Sequence, residues 1–226
     1  MKKVLIVGGV AGGASTATRL RRLDENLEII IFEKGEHVSF ANCGLLYHIG
    51  EVIENRESLL VQTPESLKAR FNLDVRVNSE VIEVNGEDKK VKVKTKNGEE
   101  YEENFDFLVL SPGAKSLFPP IKGIERNKIF TLRNINDMDK IKAEIKNSNI
   151  KKATVVGGGY VGVETAENLK HLGIDTTLIE AAPHILAPFD SEISNILEYE
   201  LVDNGINLLI SEKVTEFQED KDEVII

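Results

Sequence analysis

The chain has 226 residues, with 28 Lys and Arg against 38 Asp and Glu, a net charge of −10, and 41% hydrophobic residues. This balance lacks the clustered cations whose counterion release drives binding to nucleic acid, and it offers no attraction to an anionic membrane. One cysteine excludes an internal disulfide framework and fits a reducing, cytoplasmic compartment. The length allows one large domain or two smaller ones.

Met1-Lys2-Lys3 followed by Val4-Leu5-Ile6-Val7 imitates the start of a secretory signal. The apolar run stops at Gly8, however, and Arg19, Arg21 and Arg22 follow, which suits a strand entering a helix. No apolar stretch approaches the ~20 residues a membrane-spanning helix needs. The first unit then reads as strand 4–7, the turn Gly8-Gly9-Val10-Ala11-Gly12-Gly13, a helix to residue 23 and a strand ending at Glu33. The same order returns as strand 153–156, the turn Gly157-Gly158-Gly159-Tyr160-Val161-Gly162, a helix to residue 172 and a strand ending at Glu180, a weak internal repeat.

Each copy has a short apolar strand of the buried parallel type and a turn that only glycine allows to approach a pyrophosphate closely. A helix N-terminus facing such a turn binds the anion through its unpaired N–H groups and dipole. An acid at the tip of the following strand is placed to bond ribose hydroxyls, and Glu33 and Glu180 stand there. Gly157, Gly159 and Gly162 complete the G-x-G-x-x-G pattern of a dinucleotide site. In the first copy Gly8 and Gly13 match its ends, Val10 holds the middle position, and Gly9 and Gly12 flank it. A glycine turn serving tight helix packing alone is the other reading there.

Between the copies, 75–77, 81–84 and 91–94 read as antiparallel strands, with turn signals at Asn85-Gly86 and Asn97-Gly98. Residues 107–110 return as a buried strand into Ser111-Pro112-Gly113-Ala114. Pro119-Pro120 and Gly123 mark a linker, and a helix over 136–147 leads into the second copy. An amphipathic helix over 191–204, a strand at 206–210 and the start of a hairpin at 213–218 follow. The end at 224–226 has strand composition without a visible partner, from which the expectation is an N-terminal portion of a longer protein.

The single cysteine lies in Ser39-Phe40-Ala41-Asn42-Cys43-Gly44, shortly after the first unit. A lone thiol that turns over cycles through a sulfenic acid, a persulfide or a mixed disulfide. The alternative is a small buried hydrophobe. A helix over 41–49 places Cys43 in its first turn, where the dipole favours the thiolate. His48, five residues on, points elsewhere and reads as structural. His37, His171 and His184 have no partners at metal-ligand spacing, so no metal site is expected, and no Ser, His and Asp set is legible.

With these residues in hand, the chain resembles flavoprotein pyridine-nucleotide disulfide reductases, in particular the single-cysteine branch of coenzyme A disulfide reductases, NADH oxidases and NADH peroxidases. The two glycine turns, Phe32-Glu33-Lys34, Ser39 to Leu45, Ser111-Pro112-Gly113-Ala114, Thr131-Leu132-Arg133-Asn134 and Val163-Glu164 carry the likeness, which covers the whole length. It implies an α/β fold of two Rossmann-like units with antiparallel hairpin insertions. The FAD-binding domain's first segment would be 1–115, a connecting segment 116–149, and an incomplete NAD(P)H-binding domain 150–226.

The implied cofactor contacts are Gly8, Gly9, Val10, Ala11, Gly12, Gly13, Glu33, Lys34, Val81, Ser111, Pro112, Gly113 and Arg133, with Gly157, Gly158, Gly159, Tyr160, Val161, Gly162, Glu164 and Glu180. Cys43 would lie against the flavin and act as the catalytic thiol. Tyr160 would cover the flavin face and swing aside for nicotinamide, its other reading being a helix-packing aromatic. Ser15, Arg19, Arg22, Ser39 and Asn42 would hold an anionic substrate, although a solvated helix face is the other reading of both arginines. Many members have Pro where this chain has Leu46. Oxidases and peroxidases of the group usually carry His near Ala11, so the alanine favours a disulfide over peroxide.

The carboxylate of Glu180, followed by Ala181 and Ala182 rather than an arginine, favours NADH, with NADPH as the alternative. The family also has a later FAD-binding segment and a C-terminal dimerisation domain, implying a homodimer for the full-length protein. The expected function is reduction of coenzyme A disulfide, or a related small disulfide or persulfide, through a Cys43 mixed disulfide. The alternatives are an oxidase or peroxidase using a Cys43 sulfenic acid, and an inactive nucleotide-binding fragment.

Overall fold

The computed structural model describes residues 1–220 and 223–226. In chain order, β1 (Lys3–Val7), α1 (Ala11–Leu23), β2 (Glu28–Phe32), α2 (Gly44–Ile49) and α3 (Pro64–Phe71) precede β3 (Asp74–Arg76), β4 (Ser79–Asn85), β5 (Lys90–Thr95), β6 (Glu100–Asn104) and β7 (Phe107–Leu110). After these come α4 (Ile135–Asn147), β8 (Lys152–Val156), α5 (Tyr160–His171), β9 (Asp175–Glu180), α6 (Ser191–Asp203), β10 (Asn207–Ile210), β11 (Gln218–Asp220) and β12 (Glu223–Ile225). Contacts divide the chain into one unit of Met1–Ala41 and Arg56–Lys115 and another of Asn42–Asn55 and Ser116–Ile226.

In the first unit a parallel sheet has the order β3-β2-β1-β7. Beyond Lys3 and Glu28 at their starts, its central strands are apolar at every position because both faces are covered. Val4, Ile6, Ile29 and Ile31 pack with Ala17, Leu67 and Leu73 on one face, while Leu5, Ile30 and Phe32 pack with Val91 and Val93 on the other. The second face is roofed by the antiparallel sheet β4-β5-β6.

Two expectations change here. Residues 75–77 are not part of the antiparallel set: β3 is a parallel edge strand on β2. Alternation of apolar residues marks a half-buried strand and says nothing about the direction of its neighbour. β6 was not expected, because Glu100-Tyr101-Glu102-Glu103-Asn104 has one apolar side chain. Its acids lie across from the lysines of β5, with ion pairs Lys90–Glu102 at 3.0 Å and Lys92–Glu100 at 2.7 Å.

In the second unit a parallel sheet has the order β10-β9-β8. Ala166, Leu178, Ile185, Leu201 and Ile206 form its core. The chain's last residues do have a partner, contrary to expectation: β12 pairs antiparallel with β11, Val224 opposite Glu219. Residues 224–226 have strand composition, but the charged sequence of β11 conceals its mate. No helix among the described residues is long and apolar enough to cross a membrane.

Candidate nucleotide and thiol sites

The two glycine turns are built alike. Gly8 has φ +95° and Gly157 φ +107°, backbone that side chains rarely adopt. Gly8 N–H donates to the Phe32 carbonyl and Gly157 N–H to that of Ile179, each at 2.8 Å, so each turn is stitched to the neighbouring strand. A Cβ on Gly13 or Gly162 would run into the carbonyl of Gly8 or Gly157. Helix packing is therefore one duty of these glycines in both copies. It is not their only duty, because a Cβ on Gly159 would meet nothing within 4 Å, which leaves that side of the turn open. Val10 occupies that position in the first copy, as the N-cap of α1.

The strand-end acids pin the turns. Glu33 accepts from Gly9 N–H through Oε2 and from Gly35 N–H through Oε1, both at 2.8 Å. Glu180 accepts from Gly158 N–H at 2.6 Å and Ala182 N–H at 2.7 Å. An ionised carboxylate has about four acceptor sites, so each acid keeps capacity for hydroxyl donors. The helix N-termini point the same way. α3 and α4 close theirs with capping boxes, Thr63 with Ser66 and Asn134 with Asp137. α1 and α5 have neither a side-chain cap nor an acid in the first turn, which leaves N–H donors and the positive dipole end for an anion.

These turns fit the dinucleotides that the fold implies. Ser111 adds to the first: its carbonyl stands where a Cβ on Gly8 would go, and its hydroxyl where one on Gly12 would go. Its N–H donates to Val7 O, and Gly113 has φ +69°. Ala11, Lys34 and Pro112 are exposed. Val81 turns its side chain toward the cluster under β4, opposite Val93. In the second unit Arg133 is exposed just before α4, its N–H donating to Asp137 Oδ2 at 3.1 Å, and Val161 is exposed in α5. Tyr160 is 56% exposed and meets Phe189 edge-on, ring centroids 6.1 Å apart. The Glu164 carbonyl accepts from Asn168 Nδ2.

Cys43 is exposed, which removes the reading of it as a buried hydrophobe. It is the N-cap of α2 rather than a first-turn residue. The expected helix over 41–49 starts later because Phe40 bridges Leu60 and Ala41 N–H donates to Leu59 O, holding that stretch extended. α2 buries Leu45, Leu46 and Ile49 and packs against α4 and α5. A Cβ on Gly50 would run into Asn168 Oδ1 of α5. Lys142 of α4 donates to the His48 carbonyl at 2.7 Å, and the buried His48 ring bonds the Ile53 carbonyl through Nδ1 at 2.6 Å. His48 is thus structural. Lys142 and Asn168 escaped the sequence reading, since nothing local marks a contact this remote in the chain.

Ser15, Arg19 and Arg22 are exposed along α1 at helical spacing, whereas Arg21 is buried and spends its guanidinium on the carbonyls of Phe71, Glu25 and Asn72. Ser39, at φ +45°, donates its N–H to Gly9 O and accepts from Val61 N–H. These four site residues belong to the first unit, and Asn42 and Cys43 to the second. Asn42 Oδ1 is buried without a hydrogen-bond partner among the described residues. No cluster of potential metal ligands occurs among the described residues.

Paired parallel sheets, each with a pinned glycine turn before an uncapped helix, define a two-dinucleotide oxidoreductase architecture. The chain belongs to the pyridine nucleotide-disulphide oxidoreductase family, whose model matches residues 2–226. It is 42% identical over 215 residues to the coenzyme A disulfide reductase of Staphylococcus aureus (strain JH9), covering 95% of this chain and 48% of the relative. The reduced CoADR-RHD of Bacillus anthracis superimposes with a TM-score of 0.95 at 47% identity, covering 99% of this chain and 42% of that one. The NAD-dependent persulfide reductase from A. fulgidus gives 0.93 at 32%, covering 98% and 42%. The chain thus spans about half the length of the curated relatives it matches.

Proposed function

We propose that this protein works as an FAD-dependent, NADH-linked disulfide reductase whose first substrate is coenzyme A disulfide. The observation that carries the reading is an exposed lone thiol, Cys43, in a chain with two pinned glycine turns. The staphylococcal relative supports coenzyme A as the thiol. FAD is assigned to the 8–13 turn with Glu33 and Ser111, and NADH to the 157–162 turn with Glu180.

The Cys43 thiolate attacks one sulfur of the disulfide, forms a mixed disulfide and releases one thiolate. FAD and NADH, when bound, supply the two electrons that return this mixed disulfide to the Cys43 thiolate and the second thiol, with a proton from solvent. The N-termini of α1 and α5 hold the pyrophosphates, and Glu33 and Glu180 orient the riboses. Arg19 and Arg22, with Ser15, Ser39 and Asn42, would hold the anionic substrate. Tyr160 would cover the flavin face and give way to nicotinamide. Homodimerisation of the whole protein and a cytoplasmic location belong to the same proposal.

The test is NADH oxidation with coenzyme A disulfide by the flavin-loaded protein and by Cys43→Ser. Turnover by the first and a loss of at least about 10³-fold in the second, with flavin retained, is expected. Oxygen or peroxide turnover without disulfide turnover would instead favour sulfenic acid chemistry, which Ala11 speaks against. Persulfide is the nearest second substrate, a reading favoured by the likeness to the A. fulgidus persulfide reductase. The same thiol accepts sulfane sulfur.

A further inference from the structure

A cavity of about 470 Å³ opens at the carboxyl ends of β8 and β9, the edge at which open α/β sheets bind ligands. Gly157 and Glu180 border it, as do Glu212 and Lys213 from the segment after β10. That segment is fixed against the acid itself. Ser211 N–H donates to the Ala182 carbonyl at 2.9 Å and Glu212 N–H to the Glu180 carbonyl at 3.0 Å. Lys213, one residue beyond, is exposed and is the one cation among the described residues lining the cavity.

We propose that Lys213 is a specificity-determining residue that sets how far this site tolerates a 2′-phosphate on the adenosine ribose. The proposal rests on the assignment of the second turn to a pyridine nucleotide. Glu180 keeps both oxygens on backbone donors, which fixes its carboxylate at the ribose side, where its negative charge repels a phosphate. Glu212 adds a second negative charge to the rim. Lys213 offsets that field where arginine is absent from Ala181 and Ala182, and its ammonium gains a charge-assisted bond only when a phosphate is present. NADH remains preferred, and NADPH remains usable through Lys213.

Calorimetric binding of ADP-ribose and of 2′-phospho-ADP-ribose to the protein, to Lys213→Met and to Lys213→Arg tests this without turnover. Lys213→Met is expected to weaken the phosphorylated probe about five- to tenfold more than the unphosphorylated one. Lys213→Arg should restore the ratio, and high salt should shrink the difference. An unchanged ratio in Lys213→Met overturns the proposal, as does equal weakening of both probes. Binding of neither probe by the unaltered protein removes the nucleotide-site assignment beneath it, an outcome distinguishable from the other two.

Discussion

Arg76 joins several partners in the first unit. It bonds Glu103 at 2.8 Å and Asp74 at 2.8 Å, and its guanidinium lies over the Phe32 ring at 5.4 Å. Glu103 also takes Lys3 at 2.8 Å, so its carboxylate ties β1, β3 and β6 together. Burial raises the Glu103 pKa, but the hydrogen bonds from Lys3 and Arg76 outweigh it and hold the carboxyl below its ordinary value. A folded-state value below the unfolded one means that the stabilisation is whole above about pH 4.3 and fades as pH falls through the lowered native value. Glu103→Gln should therefore cost about 1–2 kcal/mol at pH 7, and the difference should vanish in acid; denaturant melts of both proteins across pH read this. A cost independent of pH would mean that packing, not charge, is lost. Gly162→Ala puts a methyl into the Gly157 carbonyl. It should cost about 1–3 kcal/mol and weaken ADP-ribose at least about tenfold, seen by melting and calorimetry.

At the scale of elements, α2 is the telling case. Six residues are too few for a helix to hold itself, so its order comes from what it packs on. Leu45, Leu46 and Ile49 supply the apolar face, Lys142 closes the C-terminal end, and Gly50 admits Asn168. Gly50→Ala is expected to cost about 1–3 kcal/mol and to speed amide exchange in 44–50 ahead of β8 and β9. Uniform exchange behaviour across the second unit would contradict that placing. The ends of α4 offer a plainer check. Asn134→Ala removes a capping box and should lower stability by about 1 kcal/mol in thermal melts. Most elements were legible in the sequence because their signals are local: apolar strands 4–7 and 153–156, the glycine turns that open α1 and α5, and the amphipathic spacing of α6. β6 and β11 were not, since their stability lies in cross-strand partners rather than in their own apolar content. The parallel pairing of β3 and the late start of α2 were hidden for the same reason, being decided by neighbours distant in sequence.

Across the whole molecule the repeat is the organising fact. Gly9 with Glu33 and Gly158 with Glu180 are the same device used twice, down to the second carboxylate oxygen on a backbone N–H two residues on. The spacing of glycines and acids made the two turns readable, and Ser111 was legible in its own motif, whereas Lys213 emerged only when the fold brought it beside Glu180. The thiol was readable as a lone cysteine in a recognisable segment, and its exposure at a helix cap came from the structure. The measurement that bears most directly on the proposed reductase is native mass spectrometry of the protein after incubation with FAD and coenzyme A disulfide, beside Cys43→Ser. A flavin-loaded species carrying one coenzyme A on Cys43, absent from the serine variant and discharged by NADH, is the predicted result. A flavin-loaded protein whose Cys43 stays unmodified would contradict the mixed-disulfide chemistry.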